Sequence, residues 1–286
     1  MSDPDDPQPT RLELVCPAGT PAALKAAVLA GADTVYLGFR DETNARNFPG
    51  LNFNRDELSA GIEFAHDHGV KVLVAVNTFP EAGNFEPWKR AVDDAAARDA
   101  DALILADIGL AAYAADKHPD TRRHLSVQAA ASNPEAINFY VDTFGVQRVV
   151  LPRVLTIPEI TKLNKLINVQ TEVFAFGGLC VMAEGRCALS SYITGESPNM
   201  NGVCSPASHV RYEDEGDRLV SRLGDFTINA FSPEEKAGYP TLCKGRFKSR
   251  DKVSYLFEEP TSLNVVDMLP ELVAAGVTAL KIEGRQ

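Results

Sequence analysis

The sequence predicts an α/β fold, a TIM-like (β/α)8 barrel with a long cysteine-bearing insertion between its seventh and eighth strands. Three observations carry this. From Leu12 onward, short β-branched apolar runs alternate with alanine-rich segments of helical period, the pattern of parallel strands covered by helices. The first seven runs start 22 to 37 residues apart, and eight such units total about the length of a barrel. Four of the five cysteines then fall in one irregular stretch late in the chain.

The strands read in order as Leu12–Cys16, Thr34–Leu37, Lys71–Val76, Ala102–Ala106, Leu125–Ala129, Arg148–Leu151, Thr171–Phe176 and Thr278–Ile282. The first helix, Pro21–Ala30, opens on a proline suited to a first turn, repeats its apolar positions at three and four, and ends at Gly31. The next, Asp56–His68, is closed by Gly69, and Trp88–Arg98, Ile108–Lys117, Pro134–Thr143 and Ile157–Leu166 follow. Trp88 opens its helix and reads as packing on a surface element. A doubly wound sheet is the alternative, but CPAGTPA after the first strand carries one glycine where a dinucleotide fingerprint needs three. Within Gly177–Asn264 the helical period fades and Gly, Ser, Pro and Asn collect; so long a loop needs something to order it.

Composition sets the class. The 286 residues are 45% hydrophobic, enough for a sizeable core. Thirty-nine acidic against twenty-eight basic residues leave a net charge of −11, with no broad positive surface for a phosphate backbone. Direct nucleic-acid binding is therefore disfavoured. No apolar run is long enough to cross a membrane, and the start MSDPDDPQPT lacks the regions of a signal peptide, so a soluble cytoplasmic protein is expected. Residues 1–10 read as a disordered tail, and 11–286 as a single barrel domain that includes the insertion at 178–262.

Five cysteines without a secretion signal argue against a disulfide framework. Cys180, Cys187, Cys204 and Cys243 are separated by six, sixteen and thirty-eight residues, and only Cys16 lies outside the insertion. Four thiolates suit either a tetrahedral zinc or a 4Fe-4S cluster, and the lack of tight CxxC knuckles favours the cluster over zinc; unrelated buried cysteines without a metal are the remaining reading. The insertion follows the C-terminal end of a barrel strand, the face that holds the active site in barrel enzymes. Cys16 reads as a small buried hydrophobe.

The run EVFAFGGLCVMAEGRCALS from Glu172 to Ser190 resembles the signature of the collagenase-like peptidase family U-32. CPAGTPAALKAAVLAGADTVYLG, SSYITGESPN, CSPA, AGYPTLCKGR, EEPTSLN and LKIEGR extend the resemblance over about residues 12–286. DETNARNFPGLNF, LILADIG, HLSVQAAASNPEAINFY and RVVLPRVL more narrowly resemble the branch associated with oxygen-independent ubiquinone biosynthesis. That resemblance implies a barrel-like fold and a 4Fe-4S cluster on Cys180, Cys187, Cys204 and Cys243. It also implies a UbiV-like partner in a heterodimer, and anaerobic hydroxylation of the aromatic ring of a ubiquinone precursor. The hydroxyl would come from a small organic donor, prephenate being the first to test.

Two departures stand out. Gly178 occupies a position where the family has Ser or Ala, a small-for-small change expected to be harmless. The sequence stops at Gln286, just after the eighth strand, where family members continue into a final helix; without it, one apolar flank of the barrel is expected to be open. Proteolysis finds little support, since there is no HExxH and no GxSxG. His66 and His68 lie two apart on a helix and share no face, while His118, His124 and His209 are isolated. Two other readings remain: a structural subunit whose cluster only orders the insertion, and RNA-base hydroxylation as in related family members.

Strand ends at the C-terminal face supply the substrate candidates. The loop Asp41–Asn54 carries Asn44, Arg46 and two phenylalanines, which can bind an aromatic acid through Arg46 and stack its ring. Asn77, Gln128 and Arg153 point toward the same mouth. Glu172, Lys281 and Glu283 sit in or beside the last strands, where charges must be paired, and a Glu172–Lys281 ion pair is expected.

Overall fold

The computed structural model describes residues 11–180, 184–257 and 259–284; the tail expected at residues 1–10 lies outside them. Strands β1 (Glu13–Pro17), β2 (Thr34–Gly38), β3 (Lys71–Val76), β4 (Ala102–Leu105), β5 (Arg122–Leu125), β6 (Arg148–Val150) and β7 (Gln170–Gly178) pair in parallel, each with the next. The last barrel strand, Ala279–Ile282, inserts in parallel between β7 and β1. The eight strands therefore close on themselves. Every residue of β2, and all of β3 beyond Lys71, is buried, as expected of parallel strands covered on one face and packed inside the barrel on the other.

Helices α1 (Pro21–Leu29), α2 (Arg55–Asp67), α3 (Glu86–Ala96), α4 (Ile108–Lys117), α5 (Pro134–Phe144) and α6 (Ile157–Asn164) bridge successive strands. Their starts are written in the sequence. Thr20 caps α1, and Asn54 with Glu57 and Thr156 with Glu159 form reciprocal capping boxes. Outward residues such as Val35, Leu37, Val72, Val74, Leu103 and Leu105 pack beneath Leu24, Leu58, Ile62, Val92 and Leu110 in one continuous cluster. Each such side chain contributes about 1.5–3 kcal/mol. A second cluster covers β5 to β7.

Three expectations change. The fifth strand is Arg122–Leu125, and Val127–Ala129 forms a single 3-10 turn capped by Ser126, so Gln128 stands on a turn above the strand. The turn is closed by Ala130 in the left-handed region, at φ +53°. Trp88 is buried within its helix layer, at 1% exposure, and its indole N–H donates to Thr78 Oγ1 at 2.9 Å. The stretch expected to lack regular structure is folded. It carries α7 (Leu189–Thr194), α8 (Pro198–Asn201), an antiparallel sheet of β8 (Val210–Glu215), β9 (Arg218–Leu223) and β10 (Phe226–Phe231), and a hairpin of β11 (Arg246–Ser249) and β12 (Lys252–Tyr255). The stretch returns through β13 (Ser262–Asn264), which pairs antiparallel with the end of β7. An unforeseen short helix, α9 (Leu269–Ala274), then leads into the last barrel strand, β14 (Ala279–Ile282).

On the outer face of β1 and β14, Leu14, Cys16 and Ile282 are half-buried and Leu280 is buried. Inside the barrel, Lys281 Nζ meets Glu172 Oε1 at 2.6 Å as expected, and Arg148 bridges Glu172 at 3.3 Å and Glu13 at 2.6 Å. Burial alone would raise the Glu13 carboxyl, but hydrogen bonds from Arg148 and Thr34 and the Arg148 charge bring it down to about 2. Among the described residues no helix is long and apolar enough to cross a membrane.

Candidate functional site

A cavity of about 140 Å³ opens at the C-terminal end of the barrel, and the insertion roofs it. Period-two alternation along the strands puts Tyr36, Phe174 and Lys281 on its inner walls. The four insertion cysteines, carried on separate pieces of chain, all face this one space. Cys243 sits in the 3-10 turn Leu242–Lys244, and the carbonyl of Cys187 accepts from the Asn199 side chain of α8 at 3.1 Å. No disulfide forms among the described residues.

The thiols interact electrostatically. Burial pushes Cys243 up to about 11; nearby Lys244 opposes that, and Cys180, Cys204 and Cys187 add to it. Burial also raises Cys204, with Arg46 pulling the other way. Among the described residues no three Cys, His, Asp or Glu side chains are arranged to hold a metal ion.

Next to them runs a chain of charges. Arg46 reaches Glu283 at 2.5 Å, Glu283 reaches Arg153 at 2.7 Å, and Arg153 reaches Glu184 at 2.7 Å, with its guanidinium 3.6 Å from the centre of the Phe174 ring. Burial alone would raise Glu283, but the charges and hydrogen bonds of Arg46 and Arg153 hold it below the ordinary carboxylate range. Arg153 Nε is buried and has no acceptor among the described residues. Gly177 makes the packing possible. At φ +134°, an added Cβ would stand 2.5 Å from Glu283 Cβ.

A model of the peptidase family U32 matches residues 19–286. The chain belongs to the peptidase U32 family. Its U32 relatives include tRNA hydroxylation protein P of Escherichia coli, 32% identical over 96% of this chain and 63% of that protein. Bacillus subtilis tRNA hydroxylation protein P1 is 30% identical over 96% of this chain and 58% of its own length. The chain thus spans about three fifths of these relatives. The Escherichia coli 23S rRNA 5-hydroxycytidine C2501 synthase is 33% identical over 74% of this chain and 31% of its own length. Among solved structures, the U32 peptidase Mk0906 shares the fold with a TM-score of 0.50 at 16% identity, covering 62% of this chain and 74% of that one.

Within this U32 barrel the substrate candidates separate. Arg46, Asn77, Gln128 and Arg153 line the cavity. Asn44 does not; it is fully buried, donates to Phe39 O at 3.1 Å and accepts from Arg46 N at 3.1 Å, and so fixes its own loop. Asn77 lines the cavity with its amide already engaged, accepting from Ala45 N at 3.0 Å and donating to Ser126 Oγ at 3.1 Å. The loop phenylalanines supply no stacking surface. Phe53 is fully buried in the core, Phe48 lies outside the cavity, and the aromatic walls are Tyr36 and Phe174 instead.

Gly185 lets the insertion close down on Gln128. Its φ is +74°, and an added Cβ would stand 1.9 Å from Gln128 O. A Cβ on Gly178 would meet only Glu283 Oε2 at 3.8 Å, so the space admits a Ser or Ala, and the small-for-small change expected to be harmless is sterically so. Cys16 is half-buried against the outer helical layer, away from the cavity. His66 and His68 lie exposed on α2, His66 bonded to Asp101 at 2.8 Å and His68 to Phe64 O at 2.8 Å. Sequence reasoning missed Tyr36, Ser126 and Glu184. Strand alternation could have found Tyr36, and the position of Glu184 between Cys180 and Cys187 could have marked it.

Proposed function

We propose that this chain forms the iron–sulfur and donor site of an oxygen-independent hydroxylase, with a UbiV-like partner and the aromatic ring of a ubiquinone precursor as acceptor. The observation that carries the reading is one cavity at the barrel mouth shared by four cysteines and two arginines. Four thiols carried on separate pieces of chain around one cavity suit a 4Fe-4S cluster, each of whose irons takes one thiolate. The reaction type is supported by relatives named for tRNA and rRNA hydroxylation. A small acceptor is favoured by the net charge of −11 and by the motifs, DETNARNFPGLNF among them, that resemble UbiU.

Hydroxylation without dioxygen can be written as an exchange: the ring C–H becomes C–OH, and the donor loses its hydroxyl and gains hydrogen. Cys180, Cys187, Cys204 and Cys243 would hold the cluster, losing their protons as it binds because burial otherwise keeps Cys204 and Cys243 protonated. When bound, that cluster supplies redox chemistry or a Lewis-acidic iron. Arg153 lines the cavity with its guanidinium fixed by Glu184 and Glu283, and its charge would draw a donor carboxylate into that space. Arg46 instead holds Glu283 from the other side. The Gln128 amide makes no hydrogen bond within the described residues and faces the same space. A dicarboxylate such as prephenate fits this set of donors.

Anaerobic growth of cells lacking the protein tests the acceptor, read as ubiquinone content, accumulated unhydroxylated intermediates and hydroxylated RNA bases. Lost ubiquinone is the expected result. Normal ubiquinone with a missing RNA hydroxyl would favour the second reading, to which the tRNA hydroxylation relatives point. Arg153→Lys should raise the donor KM on the order of tenfold with iron content unchanged. Unchanged kinetics would place the chemistry in the partner.

A further inference from the structure

At the opposite end of the barrel interior from the cysteines lies a second polar cavity of about 130 Å³, lined by Glu13, Lys71, Asp101, Arg122, His124 and Arg148. Alternation along β5 explains it. Arg123 points outward, donating to the carbonyls of Phe144 and Thr121 at 2.8 Å each, so its neighbours Arg122 and His124 point in. His124 is 3% exposed, and among the described residues neither ring nitrogen has a hydrogen-bond partner. Buried side-chain polar atoms rarely go unpaired.

The charges around it do not cancel. Arg148 is matched by Glu13 and Glu172, and Lys281 by Glu172. Asp101 accepts from Val72 N at 2.7 Å and contacts His66 at 2.8 Å. Arg122 reaches only the uncharged Gln170 Oε1, at 3.3 Å, and Lys71 forms no ion pair among the described residues. Arg122 and the solvent-exposed Lys71 therefore leave an excess of positive charge at the cavity. Burial and the charges of Arg148, Arg122, Lys281 and Lys71 hold His124 well below its ordinary range, so its ring is neutral and carries one N–H.

We propose that this cavity is a binding site for a small inorganic anion of chloride's class, taking the N–H of His124 and the charges of Arg122 and Lys71. The anion fills both deficits at once: the unmet imidazole donor and the unbalanced positive charge. It ties β5 to β3 at the closed end of the barrel, independently of the chemistry at the mouth. A ligand that binds only the folded chain stabilises it by RT ln(1 + L/Kd), where L is its free concentration.

The test uses the full chain, purified anaerobically and exchanged into gluconate buffer. At equal ionic strength, bromide or chloride at ten times its Kd should raise Tm by about 3 °C. Arg122→Gln should lose that rise; an equal rise in the variant would overturn the proposal. Crystals of the unaltered protein grown in bromide should show an anomalous peak within hydrogen-bonding distance of a His124 ring nitrogen. Water alone at that position would overturn it as well.

Discussion

The barrel wall buries two extended apolar clusters, whereas the insertion over its mouth buries one small cluster centred on Leu223, Ile228 and Leu242. Leu189, Ile193, Val210 and Phe247 pack against that cluster and are only partly buried. The barrel stands on burial. The insertion depends on what its elements bring together at the cavity: the four cysteines, the Glu184 to Arg153 contact and the β7–β13 pairing. Regions that differ in this way should fail separately.

The sharpest test removes a thiol. Cys204→Ala should lose essentially all iron from the anaerobically purified protein, and speed hydrogen exchange across residues 189–255 by on the order of a hundredfold, since metal binding and local folding are linked. Barrel strands should keep their protection; equal loss in both regions would break the comparison. From the other side, Glu172→Gln leaves Lys281 and Arg148 short of a buried partner and should cost the barrel about 3 kcal/mol in a denaturant titration, with iron retained. The smallest effect belongs to Cys16→Ala, which should change stability by less than ~1 kcal/mol and leave iron content alone. Iron loss there would mean that the mouth reaches further along β1 than its geometry indicates.

The same contrast governs what the sequence disclosed. Strands such as Val72–Val76 are legible because both faces are buried, which forces a continuous apolar run. β5 is not, because Arg122, Arg123 and His124 serve the barrel floor and a helix cap as polar residues, while the more apolar Val127–Ala129 only turns. In the insertion, β8 reads VRYEDE and is largely exposed, so no hydrophobic period announces it. α9 is too short to register a helical period. At the site, the cysteines declare themselves by residue type alone. The partners of Arg46 and Arg153 do not: Glu283 lies 237 residues from Arg46, and only closure of the barrel brings them together. Asn44 and Phe53 show the converse, chemistry-bearing residue types absorbed by loop and core.

One detail of the connectivity reaches beyond this molecule. The chain leaves the barrel along the end of β7 and comes back beside it as β13, Ser262 opposite Gly178 and Asn264 opposite Phe176. Departure and return are a single paired stem, so the barrel's closure does not register how many residues lie between. Such a stem is a graft point. Caps of other lengths and shapes would fit over the same mouth without moving the strand that carries Glu172 and Phe174.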